Sequence, residues 1–319
     1  MSSSEQHRFR VILAFALVYV FWGSTYLGIR LAVQYLPPFV MTAVRFLIAG
    51  SLMLAYCALS GRKVRITAIE ALRLAIIGIL LLTCANATLA RAELVVPSGL
   101  AALIVAIIPL WFLVLETWVF HGDRVSGKGI AGLGLGIAGI VVLLWPQLTA
   151  TSALGTKELV YSLALVAASL AWALGSSFSK RWQKGINPFV ASGWEMVFGG
   201  AVNLVLAFAL GEPRRAVWSP KGIGALAYLV VFGSWVGFSA YIWLLQHVQM
   251  SKVSTYAYVN PVVAVFLGWI VLQERVDAYI LAGSATIIAA VALVTRAEVK
   301  PKLGVIEEEP LPMVESTGD

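Results

Sequence analysis

The sequence predicts an all-α membrane protein: ten transmembrane helices, arranged as two inverted five-helix repeats around a central cavity. Three observations predict it. The 319 residues are 60% hydrophobic and only 12% charged, and the mean hydropathy is +0.88. Apolar windows of about 20 residues, enough to cross a hydrocarbon core of roughly 30 Å, recur nearly end to end. The second half of the chain also repeats the first. Soluble domains carry about 25% charged residues, so this surface is too poor in charge to face water throughout, and lipid is its expected solvent.

The windows are read at residues 11–33, 38–59, 73–94, 99–120, 129–145, 158–179, 188–210, 222–246, 253–272 and 277–295. The first follows Arg8 and Arg10 and runs on past Trp22, Tyr26, Leu27 and Ile29. A cleaved signal peptide needs a short apolar core and a small-residue cleavage site, so this window is read as a retained helix. The fifth is short and Gly-rich. Short connections make neighbouring spans antiparallel. The division that follows is a tail at 1–10, a first repeat at 11–146, a second at 147–296 and a tail at 297–319. The last is polar and aperiodic, with Glu307, Glu308, Glu309, Pro310 and Pro312, a composition that predicts a disordered, solvated segment. Cys57 and Cys84 fall inside apolar windows and are read as buried thiols.

Lysine and arginine placement sets orientation through the positive-inside bias. With the N-terminus in the cytoplasm, fifteen fall inside: Arg8, Arg10, Arg62, Lys63, Arg65, Arg73, Arg124, Lys128, Lys180, Arg181, Lys184, Lys252, Arg296, Lys300 and Lys302. Six fall outside: Arg91, Lys157, Arg214, Arg215, Lys221 and Arg275. The loop with Arg214, Arg215 and Lys221 runs against the trend, but the sum puts both termini in the cytoplasm of a multi-pass cell (inner) membrane protein. The net charge of +7 therefore tracks loops and forms no basic face for nucleic acid.

The repeat is visible as "PPFVMTAVRFLIAG" around Pro38 and "NPFVASGWEMVFGG" around Pro188, 150 residues apart. At that offset Trp22 meets Trp172, Arg30 meets Lys180 and Gly50 meets Gly200. Further on, "DRV" at Asp123 answers "ERV" at Glu274, Ala131 and Gly132 answer Ala282 and Gly283, and Pro109 answers Pro261. Five spans per half is an odd number, which inverts one half relative to the other. Inverted repeats recur in secondary transporters, with the substrate site near the midplane between them. Duplication retained for folding alone is the competing reading.

Taken together, "WGSTYLGIR" from Trp22, "PP" followed by "VRFLIAG" from Val44, "VPSGLAALIVAIIPL" from Val96 and "TYAYVNPVVAVFLGWIVLQE" from Thr255 resemble the EamA-type drug/metabolite transporter superfamily. The likeness is greatest to its bacterial subgroup of YedA-like inner-membrane transporters, and spans roughly residues 10–296. The resemblance implies a secondary-active exporter of small metabolites, amino acids or drug-like amphipathic solutes. It implies neither a particular substrate nor a cofactor.

Candidate cavity residues follow from polar and aromatic groups deep in apolar windows. Span 1 carries Trp22, Thr25 and Tyr26, the first and last on one helix face; span 6 carries Trp172 and Ser176. Asn86, Trp111, Trp235, Ser239 and Trp243 are further lining candidates. Pro109 and Pro261 interrupt spans 4 and 9, freeing the carbonyls of Val105 and Ala257, and are read as hinges. Beside Pro261 stand Tyr256, Tyr258 and Asn260. For Asn260, cavity wall and interhelical hydrogen bond remain equal readings.

Intramembrane charges cost about 2.5–3.5 kcal/mol each on insertion scales and need partners. Arg45 and Glu195 each lie seven residues past an opening proline, roughly 10 Å deep at 1.5 Å per residue. Arg45 is a candidate for orienting an anionic substrate group, with Glu93 as its structural partner. Glu195 is the proton-coupling candidate, since burial disfavours a charged carboxylate; Lys180 or Arg181 would be its structural partner. Glu116 is expected to snorkel or pair with Arg124, and Arg30 to snorkel. Gly132, Gly136 and Gly139 in span 5 are expected to meet Ala282, Ala285 and Ala289 in span 10 through small faces. That leaves a monomer or a homodimer open.

No catalytic or metal constellation is present. His7, His121 and His247 lie at helix ends or in tails, no phosphate loop occurs, and "GSSFS" at Gly175 lacks a His or Asp to activate a serine. The expected partners are a small-molecule substrate and the lipid bilayer. A channel or membrane sensor is the rival class, ahead of an intramembrane enzyme.

Overall fold

The computed structural model describes residues 3–120, 127–149, 153–183, 185–248 and 256–296, all helical apart from short connections. Among these, eight helices are long and apolar enough to cross a membrane, and two shorter apolar ones follow them. In chain order they are α1 (Ser3–Ala32), α2 (Pro38–Leu59), α3 (Ala68–Ala92), α4 (Ser98–Val119), α5 (Gly127–Thr149), α6 (Ala153–Trp182), α7 (Pro188–Ala209), α8 (220–247), α9 (Tyr256–Leu272) and α10 (Ala278–Arg296). The predicted tail at 297–319 lies outside the described residues.

Helix starts follow local chemistry. Prolines sit in the first turn of α2, α7 and α8, where the missing N–H would be unpaired in any case. Thr67 and Glu70 form a reciprocal capping box, so α3 begins five residues before the apolar window. Asn187 caps α7 and Ser219 caps α8 through their side chains.

The packing is symmetric under exchange of α1–α5 with α6–α10. The pairs α2 with α7, α5 with α10, and α4 with α9 each join equivalent helices. Helix α1 lies on α9 as α6 lies on α4, and α3 lies on α7 as α8 lies on α2. The α2–α7 crossing is close because Gly50 and Gly200 stand there: a Cβ at Gly50 would come 2.7 Å from the Gly193 carbonyl oxygen, and one at Gly200 2.9 Å from the Leu47 nitrogen. Absent side chains let two backbones touch where no hydrophobic effect drives helices together.

The symmetry extends to a feature the sequence does not announce. Wide π turns occupy Ile79–Ala87 in α3 and Leu229–Val236 in α8, beginning at positions related by the repeat offset. Their carbonyls take side-chain donors: Asn86 Nδ2 to Leu81 (3.2 Å), Asn203 Nδ2 to Leu82 (3.2 Å) and Trp22 Nε1 to Gly233 (3.1 Å). Such turns concentrate at functional sites.

One end of the bundle gathers the α1–α2 and α7–α8 connections, where the Val217 N–H donates to the Tyr35 carbonyl at 2.9 Å. The other gathers the α2–α3 and α6–α7 connections, where the Trp194 indole donates to the Val64 carbonyl at 3.0 Å.

Two expectations are corrected here. Of the α5 glycines Gly139 faces α10 whereas Gly136 meets Leu110 of α4, and Ala282, Ala285 and Ala289 are exposed. The contact uses the opposite face, with Gly139 against Ile287 and Gly283 against Leu143. The reason is steric: glycine on one helix receives a large side chain on the other. Cys57 is buried as expected, whereas Cys84 is exposed on the outer face of the α3 π turns.

Candidate functional site

A cavity of about 110 Å³, counting the space open to the centre of a water molecule, lies between the two halves. That is room for several waters or part of a small organic solute. Seven helices contribute: α1 (Trp22, Thr25, Tyr26), α2 (Arg45, Phe46), α3 (Leu82, Ala85, Asn86, Leu89), α4 (Ala102, Val105, Ala106, Ile108), α6 (Ala168, Ser169, Trp172), α8 (Gly233, Ser234, Phe238) and α9 (Tyr256, Asn260, Pro261).

Of the sequence candidates, Trp22, Thr25, Tyr26, Arg45, Asn86, Trp172, Tyr256, Asn260 and Pro261 converge on this cavity. The side chain of Tyr258 lies outside the described residues. Trp111, Ser176, Trp235, Ser239 and Trp243 do not line it. Trp111 stands behind the wall and donates to Ser169 Oγ at 2.8 Å. Trp235 is half-buried against the core, edge-on to Tyr56 with ring centres 5.9 Å apart, and Trp243 stacks on His247 at 4.1 Å. Depth in an apolar window does not fix which way a helical residue faces. The wide turns of α8 displace the phase that simple helical spacing would assign.

Phe46, Ser169, Ser234 and Phe238 also line the cavity, and sequence reasoning misses them. For Ser169 and Ser234 a signal exists: a hydroxyl deep in a hydrocarbon span needs an internal partner. For Phe46 and Phe238 none distinguishes them from core.

On one side the lining is aromatic. Trp22 meets Tyr256 edge-on at 5.3 Å and Trp172 at 6.4 Å, and tilts against Tyr241 at 4.8 Å. This cluster faces the bundle end where α8 finishes and α9 begins.

The buried charges do not pair as the sequence suggests. Arg45, 5% exposed, donates from Nε to Ser234 Oγ at 2.9 Å, lies 4.8 Å from the Phe46 ring centre, and makes no hydrogen bond to Glu93. Glu93 is fully buried, with neither carboxylate oxygen bonded and Arg30 within its electrostatic range. Glu195 is not held by Lys180 or Arg181; its Oε1 accepts from Gln183 Nε2. Arg181 instead grips Glu116 through both terminal guanidinium nitrogens, Nη2 at 2.9 Å and Nη1 at 3.1 Å. Arg124, the partner expected for Glu116, lies outside the described residues. Glu195 does not line the cavity. Sequence separation conceals these choices: the true partners lie on helices whose contact depends on the whole packing.

Helix α4 breaks at Ala106 and Ile107, just before Pro109, and resumes at Ile108. Helix α9 continues through Pro261. The two prolines are thus equivalent in sequence and unequal in local shape.

Two carboxylates that sequence reasoning also misses tie the halves together. Glu212, 1% exposed, accepts at Oε2 from the backbone N–H groups of Phe39 (2.9 Å) and Val40 (3.1 Å). Glu274 accepts at Oε1 from Ser98 N (2.8 Å) and Oγ (2.9 Å), and at Oε2 from Gly99 N (3.1 Å). Prolines precede α2 and α4 and offer no capping side chain, so the second half caps the first.

Comparison with known proteins agrees with this architecture. The EamA-like transporter family matches the chain twice, over residues 9–145 and 159–296. The uncharacterized inner membrane transporter YedA of Escherichia coli is 35% identical, over 90% of this chain and 92% of its own. A WAT1-related chloroplastic protein of Arabidopsis thaliana is 27% identical, over 86% of this chain and 67% of its own. An uncharacterized transporter of Archaeoglobus fulgidus is 24% identical over 89% and 98%. A crystal structure of a protein 20% identical superposes with a TM-score of 0.65, covering 89% of this chain and 97% of the other, a likeness of fold.

Proposed function

This chain belongs to the EamA-like transporter family of multi-pass membrane proteins, and on that footing we propose that it exports small metabolites, amino acids or drug-like amphipathic solutes by alternating access. The observation that carries the reading is the position of the cavity, which lies between halves whose packing is unchanged by exchange. Two similar units inserted in opposite directions would have open states of similar energy on either side. In this reading ten helices span an inner (cell) membrane, with both termini cytoplasmic as the basic loops indicate.

The aromatic cluster of Trp22, Trp172, Tyr241 and Tyr256 then closes the cytoplasmic side. The break in α4 before Pro109, with Pro261 in α9, supplies the bending points. Glu195 is the proposed site of proton coupling, a buried carboxylate held by Gln183.

Counterflow in proteoliposomes tests the mechanism. A carrier gives saturable exchange of a preloaded solute, whereas unitary currents in a planar bilayer would replace it with a channel. Glu195→Gln is expected to abolish stimulation of uptake by an imposed pH gradient while sparing counterflow; intact pH-driven flux would remove the proton role. For topology, Arg8→Cys and Arg296→Cys, in a chain lacking Cys57 and Cys84, should both react with an impermeant thiol reagent only from the cytoplasmic side. Labelling from opposite sides contradicts the even number of spans.

A further inference from the structure

We infer that the cavity takes an organic monoanion, a carboxylate carried on an aromatic or apolar body, with Arg45 as its anchor. The inference rests on the carrier reading only for the statement that the ligand is then moved. Arg45 is buried in the cavity wall, and its Nε donates to a neutral hydroxyl, Ser234 Oγ. Its Nη1 is buried and has no hydrogen-bond partner among the described residues. A buried guanidinium without a counter-charge is strongly unfavourable, and its fork fits the planar, bidentate geometry of a carboxylate. Among the described residues no Asp or Glu lines the cavity. The other buried carboxylates stand apart from it: Glu93 makes no hydrogen bond to Arg45, and Glu195 accepts from Gln183.

The remaining polar group left open is an acceptor. Asn260 lines the cavity, and its Oδ1 is buried with no hydrogen-bond partner among the described residues. It suits a hydroxyl or N–H donor on the ligand, but as a neutral group it cannot balance an ammonium. A ligand of net charge −1 therefore leaves the occupied cavity neutral, a zwitterion leaves one positive charge, and a cation leaves two. Trp22, Trp172 and Phe238 give the body an aromatic surface, where offset or edge-on ring contacts add to burial.

The test uses four probes sharing one body: 3-phenylpropionate, phenylalanine, 2-phenylethylamine and 3-phenylpropanol. Each is titrated against the full chain in detergent, with thermal stabilisation and competition against radiolabelled 3-phenylpropionate as readouts. The monoanion is expected to bind tightest and the cation weakest. Arg45→Gln is expected to weaken the monoanion by about 30-fold or more while barely changing the alcohol, and Arg45→Lys to recover part of the loss. Should Arg45→Gln not fold, Ser234→Ala, which frees the guanidinium from its support, is expected to weaken the monoanion alone. Equal binding of all four, preference for the amine, no binding of the monoanion at millimolar concentration, or an unchanged monoanion affinity in these variants each overturns the assignment. If phenylalanine outbinds 3-phenylpropionate, the ligand is a zwitterion and the charge argument fails. Counterflow in liposomes is read separately: charge-ordered binding without counterflow sinks the carrier and leaves the site, and counterflow of the amine alone does the reverse.

Discussion

Gly78→Val is expected to eliminate monodisperse protein on gel filtration in detergent. Gly78 closes the first segment of α3, where that helix crosses α7. A Cβ built there overlaps the backbone carbonyl of Glu195 and comes within 3.2 Å of its Cα. The obstacle is main chain in the middle of a helix, so no rotamer change relieves it. Across the same contact a Cβ at Gly199 would fall 2.7 Å from the Gly78 carbonyl oxygen, so the two helices have no slack in either direction. Overpacking a yielding core costs about 1–3 kcal/mol; separating two backbones costs more, against a total stability of only about 5–15 kcal/mol. Gly134→Val serves as the control. Gly134 lies on the exposed face of α5 with nothing near its Cβ position, so that variant should elute normally. If Gly78→Val elutes like Gly134→Val, the α3–α7 contact is looser than described.

Glu274→Ala is expected to lower thermal stability in detergent by the equivalent of about 2–4 kcal/mol, counting three charge-assisted bonds at a helix N-terminus. The carboxylate comes from the short α9–α10 connection and reaches the first residues of α4. There it satisfies backbone donors that Pro97 cannot cap and meets the positive end of the helix dipole. Its approach is built in: Gln273 adopts a left-handed backbone, φ 54°, and Gly268 has no Cβ to obstruct the carboxylate. Glu274→Gln keeps one acceptor oxygen and should recover part of the loss. Glu212→Ala acts at the separate α2 cap, so the double variant should be close to additive. A Glu274→Ala melting temperature equal to wild type would mean that solvent caps α4 as well as the carboxylate does.

Much of the fold is legible in the amino-acid order. Helix positions follow from window length and from prolines at their starts, both local properties. The repeat places Gly50 opposite Gly200 in register, and those residues do stand at the α2–α7 crossing. The "DRV" and "ERV" echo flags Glu274 without revealing that it caps α4, because the donors lie 175 and 176 residues away. Trp22, Arg45, Asn86 and Asn260 are found because polar or bulky groups deep in a span are conspicuous. Trp235 and Ser239 are conspicuous for the same reason and face elsewhere, since the π turns that contain the first and precede the second shift the helical phase.

What the sequence determined alone was the solvent, the number and length of apolar windows, and the duplication, since composition and periodicity carry all three. What only the tertiary structure decided was partnership: Arg45 with Ser234, Glu195 with Gln183, Glu116 with Arg181, and Glu212 and Glu274 with the ends of helices in the other half. Apolar spans attract one another with little specificity. The few polar groups among them find partners only after packing has fixed every helix's rotation and height, and that is a property of the whole chain.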